Sequence, residues 1–122
     1  MFLDSLPFNA GATASDALWA GVPVLTCSGE AFAARMGGSL LRALGLPELM
    51  TTDVGEYEQR AVELALDATQ LAALTSRLAA NRSTHALFNT ETYCRNLESA
   101  YRHMWSRAEA GNSPASFTVP MS

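Results

Sequence analysis

The stretch Asn9–Thr26, with the sequence NAGATASDALWAGVPVLT, constrains the fold more than any other part of this chain. It has the pattern of a small-residue loop, a short helix, a glycine stop and a buried strand. Thr13 and Asp16 have the spacing of a capping box, which predicts a helix N-terminus at Thr13. Gly21 is predicted to end that helix, and Val22–Thr26 is predicted to be the strand.

The loop before this helix is a candidate anion site. Residues 9–12 carry little side chain, so another molecule could approach their backbone closely. A helix N-terminus adds unpaired N–H groups and the positive end of the helix dipole. An ordinary capped helix in an α/β domain explains the same pattern, and the residues alone leave both interpretations open.

The composition indicates one domain or part of one, and it excludes several classes of partner. The net charge is −4, and all eight basic residues are arginines spread along the chain. Nucleic acid is therefore not an expected partner, because phosphate contacts need grouped cations. The chain has neither an apolar run of about 20 residues nor the pattern of a secretory signal. We therefore expect no membrane partner and a cytoplasmic location.

Several kinds of chemistry lack their sequence signals. The chain contains no lysine, which removes Schiff-base chemistry. Cys27 and Cys94 are far apart in sequence and are predicted to be reduced thiols. No carboxylate pair resembles a Mg²⁺–diphosphate site, so no metal cofactor is expected. A nicotinamide-dependent Rossmann enzyme is excluded because the G-x-G-x-x-G motif is absent.

The rest of the chain alternates strands and helices, which predicts an α/β fold with a parallel sheet. A buried strand is predicted to end at Asp4, and Pro47–Thr51 is a candidate third strand. Capping boxes at Asp53 and Asp67 precede two helices, and apolar spacing predicts a last helix at about 90–110. Two or three strands are few for a sheet covered on both faces. We therefore expect a partial Rossmann-like sheet with a helix-rich C-terminal part.

Several conspicuous side chains have structural explanations. Trp19 is predicted to lie in the core, and His85 and His103 are predicted to be surface or packing residues. Arg35 is a solvated or ion-paired side chain, or a phosphate contact if it faces a cleft. The Gly37-Gly38 pair in the region 30–44 is either a kink in one helix or a break between two.

A resemblance to a known family rests on several of these residues. Leu3-Asp4, Asn9, Thr13, the D-A-L-W-A-G-x-P core at residues 16–23 and Gly29-Glu30 resemble the C-terminal end of the O-linked N-acetylglucosamine transferase family, which includes the plant SPINDLY proteins. Weaker helical matches extend the resemblance over nearly the whole chain. It implies a GT-B glycosyltransferase, which has two Rossmann-like lobes around a nucleotide-sugar and is usually preceded by tetratricopeptide repeats.

The resemblance also implies roles for individual residues. Residues 1–111 would be the C-terminal segment of the nucleotide-sugar-binding lobe, and residues 112–122 a tail. Thr13 would contact the phosphates of UDP or UDP-GlcNAc, and Asp16 would bind the ribose hydroxyls. The family's His and first Thr of a His-Thr-Thr loop fall on Gly11 and Ala12, which offer only backbone N–H groups.

The predicted function is the donor-binding part of an enzyme that transfers N-acetylglucosamine from UDP to Ser or Thr of a polypeptide. The family's acid/base groups and phosphate-binding lysine have no counterpart in this chain, so the isolated chain is expected to be inactive. Open strand edges also predict a homodimer or strand exchange of the isolated chain. The alternative is a catalytically inactive binding or oligomerisation module whose Gly-Ala-Thr loop no longer holds a donor.

Overall fold

The structure, a computed structural model, describes residues 1–120 and divides into two units, Met1–Phe88 and a second that begins at Asn89. The first unit contains the strands β1 (Phe2–Leu3), β2 (Val24–Cys27) and β3 (Met50–Thr51), and the helices α1 (Ala12–Trp19), α2 (Met36–Ala43), α3 (Val54–Leu66) and α4 (Ala68–Asn81). Short 3₁₀ helices cover Phe32–Arg35, Pro47–Leu49 and Ala86–Phe88. The second unit contains α5 (Thr90–Glu109).

The three strands form one parallel sheet in the order β1-β2-β3. Phe2 pairs with Val24, and Thr26 pairs with Met50. All four residues of β2 are buried, as expected for the central strand of a parallel sheet. The α/β prediction with a partial parallel sheet and a helix-rich remainder is confirmed, although β2 begins two residues later than the pattern indicates.

The core of the first unit consists of aliphatic side chains from the sheet and its helices. Its fully buried members are Ala14, Leu18, Val24, Leu25, Leu41, Leu44, Leu46, Leu49, Leu64 and Leu78. Ala14 and Leu18 are one turn apart on α1, so this helix is anchored to the sheet by a narrow stripe. The opposite face of α1 is exposed, and its N-terminus lies at the carboxyl edge of the strands because α1 connects two parallel strands.

Three helices end at a glycine, and the predicted end of α1 at Gly21 is confirmed. Gly21, Gly45 and Gly111 have φ angles of +83°, +68° and +70°, a left-handed conformation that follows a helix C-terminus. The predicted caps of α3 and α4 are confirmed as well. Asp53 accepts hydrogen bonds from the N–H groups of Gly55 and Glu56, and Asp67 accepts one from Gln70.

The glycine pair at residues 37 and 38 lies inside α2, and the break comes before it. Residues 32–35 form a 3₁₀ helix, and α2 then begins at Met36. Both glycines are buried against the sheet. A Cβ on Gly38 would lie 2.6 Å from Met50 Sδ, so the pair allows close approach of the helix to β2 and β3.

The prediction that Trp19 lies in the core is wrong. Its side chain is 58% exposed, because Ala14 and Leu18 already occupy the buried stripe of α1. The indole packs edge-on against Phe88, with ring centroids 5.0 Å apart, and the Arg82 guanidinium lies 5.2 Å from its centroid. The residue therefore belongs to a surface cluster.

Ion pairing on α3 also differs from the prediction. The spacing favours a Glu56–Arg60 pair, but Arg60 instead pairs with Glu63 at 3.2 Å. Gln59 and Arg60 both donate to the Glu63 carboxylate, which lowers the pKa of this group.

In the second unit, α5 carries two ion pairs in which a glutamate pairs with the arginine four residues later. Arg95 pairs with Glu91 at 2.8 Å, and Arg102 pairs with Glu98 at 3.3 Å. Tyr93, Tyr101 and Trp105 form an apolar face but are more than half exposed, so they are not core residues within this unit. Of the helices described, none is long and apolar enough to span a bilayer.

Candidate functional site

Polar residues follow each of the three strands at the same edge of the sheet. Asp4 follows β1, Ser28 follows β2, and Thr52 follows β3. Ligands of open α/β sheets gather outside this carboxyl edge. The loop that leads from Asp4 to α1 therefore lies where a ligand is expected.

Asp4 is buried and fixes the path of this loop. Its Oδ1 atom accepts hydrogen bonds from the N–H groups of Ser5 at 2.8 Å and Ala10 at 2.7 Å. Its Oδ2 atom accepts a hydrogen bond of 2.6 Å from the Thr26 hydroxyl on β2. All of these contacts are internal, so Asp4 is satisfied by the protein and supports the site without facing a ligand.

Asn9 holds the other end of the loop. Its side chain is 1% exposed, its Nδ2 atom donates to the Ser5 carbonyl, and its Oδ1 atom accepts from the N–H of Gly37 at 3.3 Å. The Asn9 N–H donates to the Ala33 carbonyl. The description of residues 9–12 as a loop with little side chain does not hold for Asn9, because its buried amide joins the loop to the start of α2.

Tyr57, on α3, makes a hydrogen bond to the start of the same loop. Its hydroxyl donates a hydrogen bond of 2.9 Å to the backbone carbonyl of Asp4. Partial burial, followed by the negative charges available to Asp4 and Cys27, raises the pKa of this phenol. The hydroxyl therefore stays protonated and remains a donor throughout the neutral range.

The start of α1 differs from the predicted capping box. Its N-cap is Gly11, with φ −97° and ψ −85°, and no side chain accepts a hydrogen bond from the first turn. Thr13 lies inside the helix, so neither its hydroxyl nor the Asp16 carboxylate acts as a cap. The box fails because the side chains of Asp4 and Asn9 draw the loop into the sheet, and the helix then begins two residues before its expected start.

The predicted site residues lie together at this helix start. Gly11 and Ala12 present backbone, and the side chains of Thr13 and Asp16 are exposed on one face because they are three residues apart. The structure gives neither side chain a hydrogen-bond partner among residues 1–120. The arrangement offers unpaired N–H donors, one hydroxyl and one carboxylate to a ligand.

A cleft of about 420 Å³ follows the same edge toward β3. It is lined by Ser28, Gly29, Glu30, Arg35, Arg42, Met50 and Thr52. Arg35 does face a cleft, as its candidate role as a phosphate contact requires. Among residues 1–120, no three His, Cys, Asp or Glu side chains are grouped so that they could share a metal ion.

His85 and His103 each make packing contacts within their own unit. The Nδ1 atom of His85 is 3.1 Å from the Thr84 hydroxyl, and its ring lies against Gly45. His103 contacts the ring of Phe117 within the second unit. Their interpretation as surface or packing residues agrees with these contacts.

Residues 1–97 of the chain match the family profile described as glycosyl transferase family 41. The chain belongs to this family. It is 42% identical over 120 residues to the probable UDP-N-acetylglucosamine–peptide N-acetylglucosaminyltransferase SEC of Arabidopsis thaliana, a match that covers 98% of this chain and 12% of that protein. It is 37% identical over 113 residues to the probable enzyme SPINDLY of Oryza sativa subsp. japonica, covering 93% of this chain and 12% of the relative.

A solved structure supports the same relationship. The chain matches an O-GlcNAc transferase mutant of Thermobaculum terrenum with a TM-score of 0.78 and 39% identity, over 84% of this chain and 20% of that one. The resemblance to the O-linked N-acetylglucosamine transferases is confirmed, and so is the assignment to part of a GT-B fold. The chain spans about an eighth of the length of the curated relatives just named.

Proposed function

We propose that this chain is the UDP-sugar-binding part of a protein O-N-acetylglucosaminyltransferase that transfers a sugar from UDP-GlcNAc to Ser or Thr of polypeptides. Its relatives are named UDP-N-acetylglucosamine–peptide N-acetylglucosaminyltransferases, which supports this donor and this class of acceptor. The observation that carries the proposal is the uncapped N-terminus of α1 at the carboxyl edge of the sheet, with Thr13 and Asp16 exposed beside it.

In this proposal, the first turn of α1 binds the diphosphate of UDP. The N–H groups of Gly11, Ala12 and Thr13 donate to phosphate oxygens, and the Thr13 hydroxyl adds a further donor. The Asp16 carboxylate, one turn further along, accepts hydrogen bonds from the ribose diol. Asp4 and Asn9 hold the loop in this geometry before the ligand arrives, which reduces the free energy of ordering it on binding.

In the reaction, these residues stabilise the leaving group. When the acceptor hydroxyl attacks the sugar, negative charge develops on the departing diphosphate, and fixed N–H donors stabilise that charge. We assign no proton transfer to this chain. The isolated 122 residues are therefore expected to be inactive, and the remaining groups are expected to come from the rest of a larger enzyme.

The proposal is tested by UDP binding in a chimera in which this chain replaces the equivalent segment of the Thermobaculum terrenum enzyme. Calorimetry should show saturable binding of UDP that Asp16→Asn weakens by about tenfold or more, since a charge-assisted hydrogen bond contributes about 1.5–3 kcal/mol. Glu58→Gln on α3 removes the same charge from an exposed position and should leave the affinity unchanged.

A second arm of the experiment restores the family's loop residues. A Cβ at residue 11 would lie 3.9 Å from Met36 Cγ, an ordinary contact, so packing does not require Gly11. The double substitution Gly11→His and Ala12→Thr should therefore fold and should bind UDP more tightly. Equal affinity in the parent, the Asp16→Asn variant and the restored loop would contradict the donor site.

The second candidate is an inactive binding or oligomerisation module. The loss of the family's His and first Thr at Gly11 and Ala12 favours it, because two side-chain donors to the phosphates are missing. Failure of UDP to bind the folded parent chimera, together with binding to the restored loop, would favour this module over the transferase.

Three further expectations belong to the same proposal. They are tetratricopeptide repeats elsewhere in the protein, a cytoplasmic location, and a reaction that needs no metal or other cofactor. The family resemblance supports the first, and the composition supports the second. For the third, transferase assays of the whole protein with and without a chelator are the direct test.

A further inference from the structure

The pairing of arginines singles out one surface of the first unit. Among the described residues, six of the eight arginines have a partner. Four form ion pairs with glutamate, namely Arg60, Arg77, Arg95 and Arg102. Two donate to backbone carbonyls, namely Arg82 and Arg107. Arg35 and Arg42 are the remaining two, and neither guanidinium has a hydrogen bond or an ion pair within residues 1–120.

Arg35 and Arg42 lie on one exposed face. They are seven residues apart, which is two helical turns, and both line two neighbouring clefts of about 420 and 300 Å³. Ser28 also lines the larger cleft, although its hydroxyl is buried and has no hydrogen-bond partner among the described residues. The smaller cleft is bordered by Phe32, whose ring is 77% exposed.

This surface is next to the loop that leads into α1. Met36 lines the smaller cleft and is also the side chain nearest to a Cβ built on Gly11, with its Cγ 3.9 Å away. A molecule held by the two arginines would therefore lie beside the N-terminus of α1 at the same edge of the sheet.

We propose that Arg35 and Arg42 bind two carboxylates of an acidic polypeptide segment. Guanidinium groups form paired hydrogen bonds with carboxylates, and both arginines are free to do so. Their Cα atoms are about 10 Å apart, from the helical rise of 1.5 Å per residue. In a polyproline II peptide, residues three positions apart lie on one side at a spacing of about 9 Å.

The chemistry of the clefts favours a peptide over a single inorganic anion. Phe32 is largely exposed beside the arginines and provides apolar contact area that an inorganic anion would not use. Glu30 lines the larger cleft and opposes a third negative charge there. The inference rests on the proposed function only in taking this polypeptide to be the acceptor, which then approaches the donor from the α2 side.

Binding of short fluorescent peptides to the 122-residue chain tests the proposal by fluorescence polarisation. One peptide carries two aspartates three positions apart, a second carries asparagines there, and a third carries lysines. We expect the aspartate peptide to bind most tightly, and the double variant Arg35→Gln, Arg42→Gln to weaken it by about tenfold or more. The substitution of both arginines by lysine should weaken it less, because charge is kept.

A charge-matched control separates the site from the overall charge. The double variant Arg95→Gln, Arg102→Gln removes the same two charges from α5 and should leave peptide affinity unchanged. Equal weakening in both double variants, or equal affinity for all three peptides, would overturn the proposal. Displacement of the peptide by millimolar inorganic phosphate at constant ionic strength would instead identify a phosphate site. This result would also overturn the proposal.

UDP binding in the same variants distinguishes this inference from the donor site. Asp16→Asn should weaken UDP and leave the aspartate peptide unaffected, while the double variant of Arg35 and Arg42 should do the reverse. If no protein binds UDP, the donor proposal fails and the peptide results still decide this one. If the double variant loses UDP and keeps the peptide, the arginines belong to the donor phosphates and the inference is wrong.

Discussion

Asp4 connects three parts of the first unit through one carboxylate and one carbonyl. The carboxylate holds the loop through the N–H of Ala10 and holds β2 through Thr26, and the carbonyl accepts from Tyr57 on α3. Buried carboxylates are retained only where hydrogen bonds satisfy them, and Asp4 meets this condition. The residue therefore determines where the loop before α1 lies, without contacting a ligand itself.

Replacement of Tyr57 by phenylalanine tests how much the hydrogen bond from α3 to Asp4 stabilises the fold. The variant leaves the Asp4 carbonyl without its donor, so urea unfolding should show a loss of about 1 kcal/mol at neutral pH. Tyr93→Phe, on the exposed face of α5, should change the free energy of unfolding by less than about 0.5 kcal/mol.

The stability difference between the parent and Tyr57→Phe should change with pH in one direction. The pKa of Tyr57 is higher in the folded chain than the ordinary value of 10.0, so the phenol contributes its full stabilisation below pH 10. That contribution is lost as the pH rises from 10 through the folded pKa. The stability difference between the parent and Tyr57→Phe should therefore shrink above pH 10, and a difference that grows there would contradict the assignment.

Gly37 is the position where α2 approaches the Asp4–Thr26 pair most closely. A Cβ there would lie 2.5 Å from Asp4 Oδ2 and 2.6 Å from Thr26 Oγ1. Gly37→Ala should lower the free energy of unfolding by about 1–3 kcal/mol, because overpacking exceeds the gain in helix propensity of about 1 kcal/mol. Ser39→Ala on the exposed side of α2 is the control, and a Gly37→Ala variant as stable as the parent would show that the packing is looser than described.

At the residue scale, the sequence predicted which residues surround the loop but not what they do. Asp4 and Asn9 were recognisable as polar residues after a strand and before a helix. Their hydrogen bonds to Thr26 and Gly37 join positions 22 and 28 residues apart, and spacing along one segment cannot reveal such contacts. The sequence predicts Trp19 in the core because it is a large aromatic residue, whereas Ala14 and Leu18 fill the buried stripe of α1 and leave the indole exposed.

At the scale of elements, α1 is distinct in how its N-terminus is satisfied. Helices α3, α4 and α5 begin with an Asp or Asn side chain that accepts a first-turn N–H. Neither α1 nor α2 has a side-chain cap at its N-cap residue, but the Asn9 amide oxygen accepts from the N–H of Gly37 in α2, and the first turn of α1 has no such acceptor. The orphan N–H groups of a helix end need water or a ligand when no side chain caps them. An anion in this position would meet that need.

The difference in capping predicts that alanine substitution lowers the free energy of unfolding at one helix N-terminus and leaves it nearly unchanged at the other. Asp67→Ala removes the acceptor for the N–H of Gln70 and should lower the free energy of unfolding by about 1 kcal/mol. Thr13→Ala should change it by less than about 0.5 kcal/mol, since Thr13 caps nothing and alanine is the better helix former. Chemical denaturation of both variants is the measurement, and a loss near 1 kcal/mol for Thr13→Ala would restore the predicted capping box.

Local signals were sufficient for most elements and failed where tertiary contacts override them. Apolar spacing with Asp caps predicted α3 and α4, and α5 lies at Thr90–Glu109, close to the expected 90–110. The start of α1 and the 3₁₀ helix at Phe32–Arg35 were missed. Both are set by contacts between the loop and α2, including the Asn9 hydrogen bonds to Ala33 and Gly37.

For the whole molecule, the open edges of the sheet predict self-association of the isolated chain. Within the described residues, β1 and β3 are the outer strands, and each pairs on one side only with β2. Sedimentation velocity over a range of concentrations should show a dimer whose population increases with concentration. A monodisperse monomer throughout would contradict the expected homodimer or strand exchange.

Family membership and the α/β fold agree with the D-A-L-W-A-G-x-P core that suggested them, whereas α1 starts two residues before the predicted position. That core specifies both packing, through Ala17 and Leu18, and the exposed carboxylate of Asp16. Whether the altered loop at Gly11 and Ala12 still binds a donor depends on a few backbone donors. Sequence comparison does not report the contribution of these backbone N–H groups to binding, because they are present whatever the side chain is.

The most direct measurement is a titration of UDP into the ¹⁵N-labelled 122-residue chain, followed by amide NMR spectra. If α1 binds the diphosphate, the amide signals of Gly11, Ala12 and Thr13 should shift saturably, and Asp16→Asn should reduce the apparent affinity. A folded chain whose largest shifts lie away from the start of α1, or whose spectrum does not respond to UDP, would contradict donor binding at this site.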